Sequence, residues 1–236
     1  MLIYAHRGAS KAAPENSIKA FTLAFQQDAD GIEFDTYQHE GGIVVFHDRM
    51  LRRRARVEGY LLDTPWSSLF SLNIGEGEVI PTLAQAIATV PSDKYCNIEI
   101  KHLDDVDKWV LEVKSAVQNS ALTAKQILVS SFNHHWLLDI TKRWPEVNIG
   151  ALTASYDLDC TASAKALGAY SINIALDAVN PQFVQTATDE GFKVYVYTVD
   201  EPRDMMMLAH WGVSGIFTNV PDIAIDVLGQ DRLSRY

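Results

Sequence analysis

The chain is short of cysteine, of positive charge and of long apolar runs, and each shortage excludes something. Its two cysteines, Cys96 and Cys160, are too few for a disulfide framework and show no zinc-ligand spacing. A reduced, cytoplasmic setting fits them best. No segment approaches the roughly 18 consecutive apolar residues of a membrane span. The opening MLIYAHRGAS has no apolar stretch of signal-peptide length, so neither secretion nor stable membrane insertion is expected. Lys and Arg number 20 against 30 Asp and Glu, a net charge of -10. Nucleic acid is a poor partner for such a chain, because phosphate backbones are bound by Lys and Arg. The one basic run, LRRRAR at 51–56, reads as a solvated face or as a rim that attracts an anionic substrate. No linker or low-complexity segment divides the 236 residues, and 47% hydrophobic content supplies a sizeable core. One domain over residues 1–236 is expected.

What is present is alternation. Strand-like runs at 2–6, 31–37, 42–46, 95–101, 126–132, 148–152, 169–175, 193–199 and 213–218 alternate with helical stretches. The helices are expected at 14–27, 81–90, 104–119, 134–144, 157–167, 181–190, 201–211 and 220–229. Pro14 suits a first helical turn, and Glu15 serves its positive end or orients Arg7. A tight Gly41-Gly42 turn makes a hairpin of 31–37 and 42–46. Counting that hairpin and the irregular segment 49–80 as one unit gives eight β-then-α units. Such alternation implies a parallel sheet, and eight units at this length imply a (β/α)8 TIM barrel with a small insertion after the second strand. An open doubly wound sheet is the alternative.

In a barrel, the chemistry sits at the C-terminal ends of the strands. That rule selects His6 and Arg7, Glu33 and Asp35, His47, and Glu99 and Lys101. Glu33 and Asp35 fall on one face of a strand, about 6–7 Å apart along it, while Ile32 and Phe34 face the other way. Two carboxylates on one face need a cation in front of them or a wet strand end. With Glu99 they make a hard oxygen site suited to one divalent cation, Mg²⁺ or Ca²⁺, with Mn²⁺ possible. Surface carboxylates paired with Arg and Lys are the plainer reading. His6 and His47 suit a general acid and a general base. Arg7 and Lys101 suit an anionic substrate such as a phosphate. His39, His102, His134, His135 and His210 read as surface residues.

HRGAS…PENSIKAF (6–21), DGIEFDTYQHEGGIVVFHD (30–48), IPTLAQAI (80–87), NIEIK (97–101), SSFN (130–133), VYVYTVDEP (194–202) and GVSGIFTNVPD (212–222) together resemble the glycerophosphodiester phosphodiesterase family. The resemblance runs in order from residue 2 to about 225. It implies a (β/α)8 barrel, one divalent metal, and hydrolysis of a small-molecule glycerophosphodiester to glycerol 3-phosphate and an alcohol. It also implies His6 and His47 as the acid/base pair, Glu33, Asp35 and Glu99 as metal ligands, and Arg7 and Lys101 as phosphate contacts. Two departures stand out. Where the family shows a Thr-rich L-x-R-T-T stretch this chain has MLRRRARVEGY, and where it shows W-T-V this chain has Tyr197-Thr198-Val199. Tyr197 and Phe132 are candidate walls for the glycerol carbons. Residues 49–80 are expected to cap one side of the rim, with Arg52–Arg54 or Arg56 near its edge. A related barrel acting on other phospholipid-derived diesters, and a non-catalytic phosphate-binding barrel, are the competing functions. The sequence leaves the oligomeric state open.

Overall fold

The structure is a computed structural model and describes residues 1–233. In chain order its elements begin β1 (Leu2–His6), α1 (Ile18–Gln26), β2 (Gly31–His39), β3 (Gly42–Val45), α2 (Arg52–Ala55), α3 (Trp66–Leu69), β4 (Asn73–Gly75), β5 (Glu78–Val79) and α4 (Leu83–Ala88). They continue with β6 (Tyr95–His102), α5 (Val106–Gln118), β7 (Ile127–Ser131), α6 (His134–Arg143), β8 (Asn148–Thr153), α7 (Ala162–Leu167) and β9 (Ser171–Ala175). The last are α8 (Pro181–Asp189), β10 (Lys193–Tyr197), α9 (Pro202–Trp211), β11 (Gly215–Thr218) and α10 (Pro221–Leu233). Strands β1, β2 and β6–β11 pair in parallel, in that order, and β1 pairs with both β2 and β11. The sheet therefore closes into an eight-stranded barrel, which excludes the open doubly wound alternative. β3 lies antiparallel on the second half of β2, with His39 opposite Gly42. No helix among the described residues is long and apolar enough to cross a membrane.

Strand alternation divides the core into two layers. Ile3, Ala5, Ile32, Phe34, Ile98, Ile100 and Val129 point outward and pack beneath the helices. Tyr4, Leu128, Tyr195 and Phe217 point inward and plug the lower barrel. The Tyr4 ring lies 5.3 Å from that of Phe217 and 5.7 Å from that of Tyr195. Gly31 leaves the room this plug needs, since a Cβ there would come within 2.7 Å of the Tyr4 ring. The plug puts a dry floor under the polar residues at the mouth.

Three expectations change. The first helix starts at Ile18, not Pro14, because the Ser17 side chain caps it by accepting from the Ala20 N–H. Residues 14–16 thus form a turn at the barrel mouth. Segment 49–80 is not simply irregular: it contains α2, α3 and a β4–β5 hairpin. Leu51, Leu61, Leu69, Ile74 and Ile80 form its own core against Phe46 and Val44. His39 is not on the surface. It is buried, its Nε2 lies 3.0 Å from the Thr64 carbonyl, and its ring packs against Trp66.

Candidate active site

Register brings the mouth residues together. In the parallel pairs, His6 stands opposite Glu33 and Asp35 opposite Glu99. Period-two alternation turns all four, with Lys101, into the barrel. Carboxylate oxygens of Glu33, Asp35 and Glu99 come within 4.8 Å of one another. All three residues are buried, Asp35 completely. Three close carboxylates repel and lose hydration, so something must offset the cost. Lys101 Nζ lies 3.2 Å from Asp35 Oδ1 and also contacts Glu99 Oε1. Arg7 Nε lies 3.1 Å from Asp35 Oδ2, and Asn16 Nδ2 donates to the same oxygen at 2.9 Å. The Arg7 backbone N–H donates to Glu33 Oε2 at 2.9 Å.

That compensation is uneven. Burial pushes Asp35 upward, but Lys101 and Arg7 outweigh it and hold its carboxyl near a pKa of about 2. Burial first, then the Asp35 charge, raises Glu99 to about 7. The same two causes, with Glu99 added, push Glu33 well above the usual carboxylate range. Glu33 Oε1 is buried without a hydrogen bond or ion-pair partner, and Asp35 Oδ1 has only the Lys101 ammonium beside it. An orphaned oxygen in a cluster of hard donors fits a divalent cation, so the trio could hold one.

The two histidines are held by different partners. His6 Nδ1 lies 2.8 Å from Asn219 Oδ1. The Asn219 amide nitrogen is committed to Asp200 Oδ2, so its oxygen must accept and His6 Nδ1 must carry the proton. The bare Nε2 then faces the cluster, 3.9 Å from Glu33 Oε2. Burial, then the Arg7 charge, lowers the His6 pKa to about 4. His47 Nδ1 instead lies 2.7 Å from Asp48 Oδ1. Partial burial raises Asp48, but hydrogen bonds from Arg53 and His47 prevail and keep it ionised. Arg53 in turn joins Asp48 to Glu15, and Glu15 also binds Arg54 and Arg7. The Phe46 N–H donates to the Asp35 carbonyl at 3.0 Å and the Tyr37 hydroxyl donates to the His47 carbonyl at 3.1 Å, so the chain brings His47 to the same mouth.

The sequence profile of the "Glycerophosphoryl diester phosphodiesterase family" matches residues 6–223. The chain belongs to this family. It is an enzyme of the glycerophosphodiester phosphodiesterase type, a phosphoric diester hydrolase. A glycerophosphodiester phosphodiesterase of Caldanaerobacter subterraneus subsp. tengcongensis is 32% identical over 236 residues, covering 96% of this chain and 97% of that one. The structure of an Oleispira antarctica phosphodiesterase in complex with the product sn-glycerol-3-phosphate superposes with a TM-score of 0.90 at 25% identity, over 97% of both chains. A Silicibacter pomeroyi structure, at 21% identity over 98% of this chain and 94% of the other and with a TM-score of 0.87, shares the fold.

Within this glycerophosphodiester phosphodiesterase scaffold, His6, Arg7, Glu33, Asp35, Glu99 and Lys101 meet at the mouth. Phe132 and Tyr197 also meet, edge to face at 6.1 Å, and Tyr197 Oη donates to the Thr153 carbonyl at 2.8 Å. Asn16, Asn219, Arg53 and Glu15 also contact these side chains or their partners; of them the sequence had raised only Glu15, as a partner for Arg7, and Arg53, near the rim. Arg7 and Asn16 adopt left-handed backbone (φ 58 and 56) in the turn that aims them at Asp35. Asn is among the residues that tolerate this region, whereas for Arg it is a strain characteristic of functional sites. Arg52 pairs with Glu58 and lines the outer side of the space that holds His47 and Asp48.

Proposed function

We propose that the chain hydrolyses glycerophosphodiesters to glycerol 3-phosphate and an alcohol, using His6 as general base and His47 as general acid. The observation that carries this is the pair of opposed settings around one acidic cluster. His6 is half-buried, with its side chain 15% exposed, stays neutral at pH 7 and presents a bare Nε2, as a base must. His47 has its Nδ1 on an ionised carboxylate, which leaves Nε2 to carry and deliver a proton. Glu33, Asp35 and Glu99 would hold one divalent cation, Mg²⁺ or Ca²⁺ with Mn²⁺ next. When bound, such an ion supplies charge neutralisation and Lewis acidity at a phosphate oxygen. Arg7 and Lys101 bring positive charge to the phosphate. Phe132 and Tyr197 form an apolar wall for the glycerol carbons. His6 takes the proton of the nucleophile, which is water or the glycerol 2-hydroxyl (the latter giving a cyclic phosphate that water then opens), and His47 gives one to the departing alcohol. The whole chain acts as one catalytic domain. A cytoplasmic setting suits its two free cysteines, of which Cys96 is buried.

The test measures glycerol 3-phosphate release from glycerophosphocholine and glycerophosphoethanolamine, with and without a chelator. Release that stops on chelation and returns with Mg²⁺ or Ca²⁺ supports the reading. Full activity in metal-stripped protein refutes the cation's part in it. The acid and base roles are separated by a glycerol phosphodiester of p-nitrophenol, whose leaving group departs without a proton. His47→Ala should recover on that substrate and His6→Ala should not; the reverse pattern exchanges the roles.

A further inference from the structure

A second cavity, of about 550 Å³, lies between the loop after β1 and the insertion. Lys11, Arg53, Arg54 and Arg56 all line it. Its one lining carboxylate, Glu76, is already taken by Lys19 at 2.7 Å. Glu15 answers Arg53 and Arg54, but it also answers Arg7. Among the described residues, no hydrogen bond or ion pair reaches the side chain of Lys11 or Arg56. Arg54 Nε is buried and has no acceptor. A chain with net charge -10 therefore sets two exposed and unpaired cations, Lys11 and Arg56, beside the paired Arg53 and Arg54 in one concavity. Like charges held close destabilise a fold unless an anion joins them, and forked guanidinium groups suit phosphate and carboxylate.

The cavity adjoins the acid. Arg53 also lines the space that holds His47 and Asp48, so one guanidinium separates the two compartments. If His47 protonates the departing alcohol, that alcohol lies beside Arg53. We propose that this cavity is a headgroup subsite for an anionic substituent, phosphate or carboxylate, carried on the alcohol side of the diester. The proposal rests on the reading of His47 given above. The enzyme then favours glycerophosphodiesters with anionic headgroups over neutral ones, and neutral ones over choline, whose fixed cation the cavity repels.

The test compares kcat/KM for diesters of choline, glycerol, serine and inositol 4-phosphate, in wild type and in Lys11→Gln, Arg56→Gln and the double variant. Neither residue touches the acidic cluster or a histidine in the structure. The double variant should lose about tenfold or more on the inositol phosphate diester, the size of one or two charge-assisted contacts. It should stay within about twofold on the choline diester, with no fall in Tm, since a repulsion has been relieved. Raising the salt concentration should erode the same preference in wild type. Identical headgroup ratios in wild type and double variant would overturn the proposal. So would inorganic phosphate that binds wild type but not the double variant, seen by calorimetry, while the ratios stay fixed; the cavity would then hold a free anion. Hydrolysis of the choline diester shows separately whether the underlying phosphodiesterase reading stands.

Discussion

An Asp48→Asn variant leaves His47 a hydrogen-bond acceptor but removes the negative charge opposite Nδ1. The contact is short, 2.7 Å, so the exchange is of a charge-assisted bond for a neutral one. Such bonds contribute about 1.5–3 and about 0.5–1.5 kcal/mol respectively, a difference of about 1–2 kcal/mol. Two features reduce it. The side chains of His47 and Asp48 are 31% and 20% exposed, so water screens the pair. Arg53 also draws on the same carboxylate. About 1–1.5 kcal/mol should remain, or about tenfold in kcat/KM. The loss should fall on glycerophosphocholine, whose alkoxide needs a proton. It should nearly vanish on the p-nitrophenyl diester. Steady-state kinetics on the two substrates, with Tm as a control for folding, gives the answer. Equal losses on both substrates at unchanged Tm would refute the claim that Asp48 acts through proton delivery by His47.

Glu33→Gln, Asp35→Asn and Glu99→Gln should each bring hydrolysis near background. Glu33→Gln should nonetheless raise the Tm of the metal-free protein, because it removes one of three crowded carboxylates; calorimetry with and without chelator checks both. Glu15 carries a pH prediction. Burial raises it, but hydrogen bonds from Arg53 and Arg54 and the charge of Arg7 hold it near a pKa of about 2, below its ordinary 4.5. A carboxylate lowered by folding stabilises the native state above pH 4.5, and that contribution is lost as pH falls toward 2. Allowing for the half-exposed Arg53, it amounts to about 1–2 kcal/mol. Urea titrations from pH 7 to 2.5 should show a shallower acid decline in Glu15→Gln; an identical slope would refute the assignment. Gly8→Ala should destabilise by about 2–4 kcal/mol, since Gly8 sits at φ +78 and a Cβ there would lie 2.6 Å from the Ala20 carbonyl carbon. Chemical denaturation reads it, and a loss under about 0.5 kcal/mol would show that the loop yields.

Local periodicity made the barrel and the acidic trio legible. Glu33 and Asp35 share a face because side chains alternate, and Glu99 joins them because neighbouring parallel strands end at one mouth. The partners of the histidines were not legible in the same way. Asn219 lies 213 residues from His6, and only closure of β11 on β1 brings it there. The one available signal was its place just past a strand end, where barrel rules put functional residues. Asn16 was obscured by Pro14, a plausible first helical residue, whereas Glu15 was legible as a partner for Arg7 and lies 3.2 Å from it. Ser17 stood directly before the apolar IKAF run and was the better cap. Once the helix starts at Ile18, both side chains are free to turn inward. Arg53 was expected near the edge of the rim, but its partner was not legible, because 38 residues separate it from Glu15.

The insertion's separate core has an evolutionary consequence. Leu51, Leu61, Leu69, Ile74 and Ile80 bury one another against the hairpin and lie outside the main helix–strand layer. The segment can therefore be redrawn, or exchanged between relatives, without disturbing the packing that closes the cylinder. The cut points are short: the hairpin end at Phe46 on one side and Pro81, whose carbonyl accepts from the Val45 N–H, on the other. On the headgroup reading, drift in 49–80 that spares Arg53 and Arg54, which hold Asp48 and Glu15, would change which alcohols are tolerated while the reacting phosphate keeps its surroundings. Chemistry and selectivity would then be written largely in different parts of one polypeptide and be open to selection at different rates.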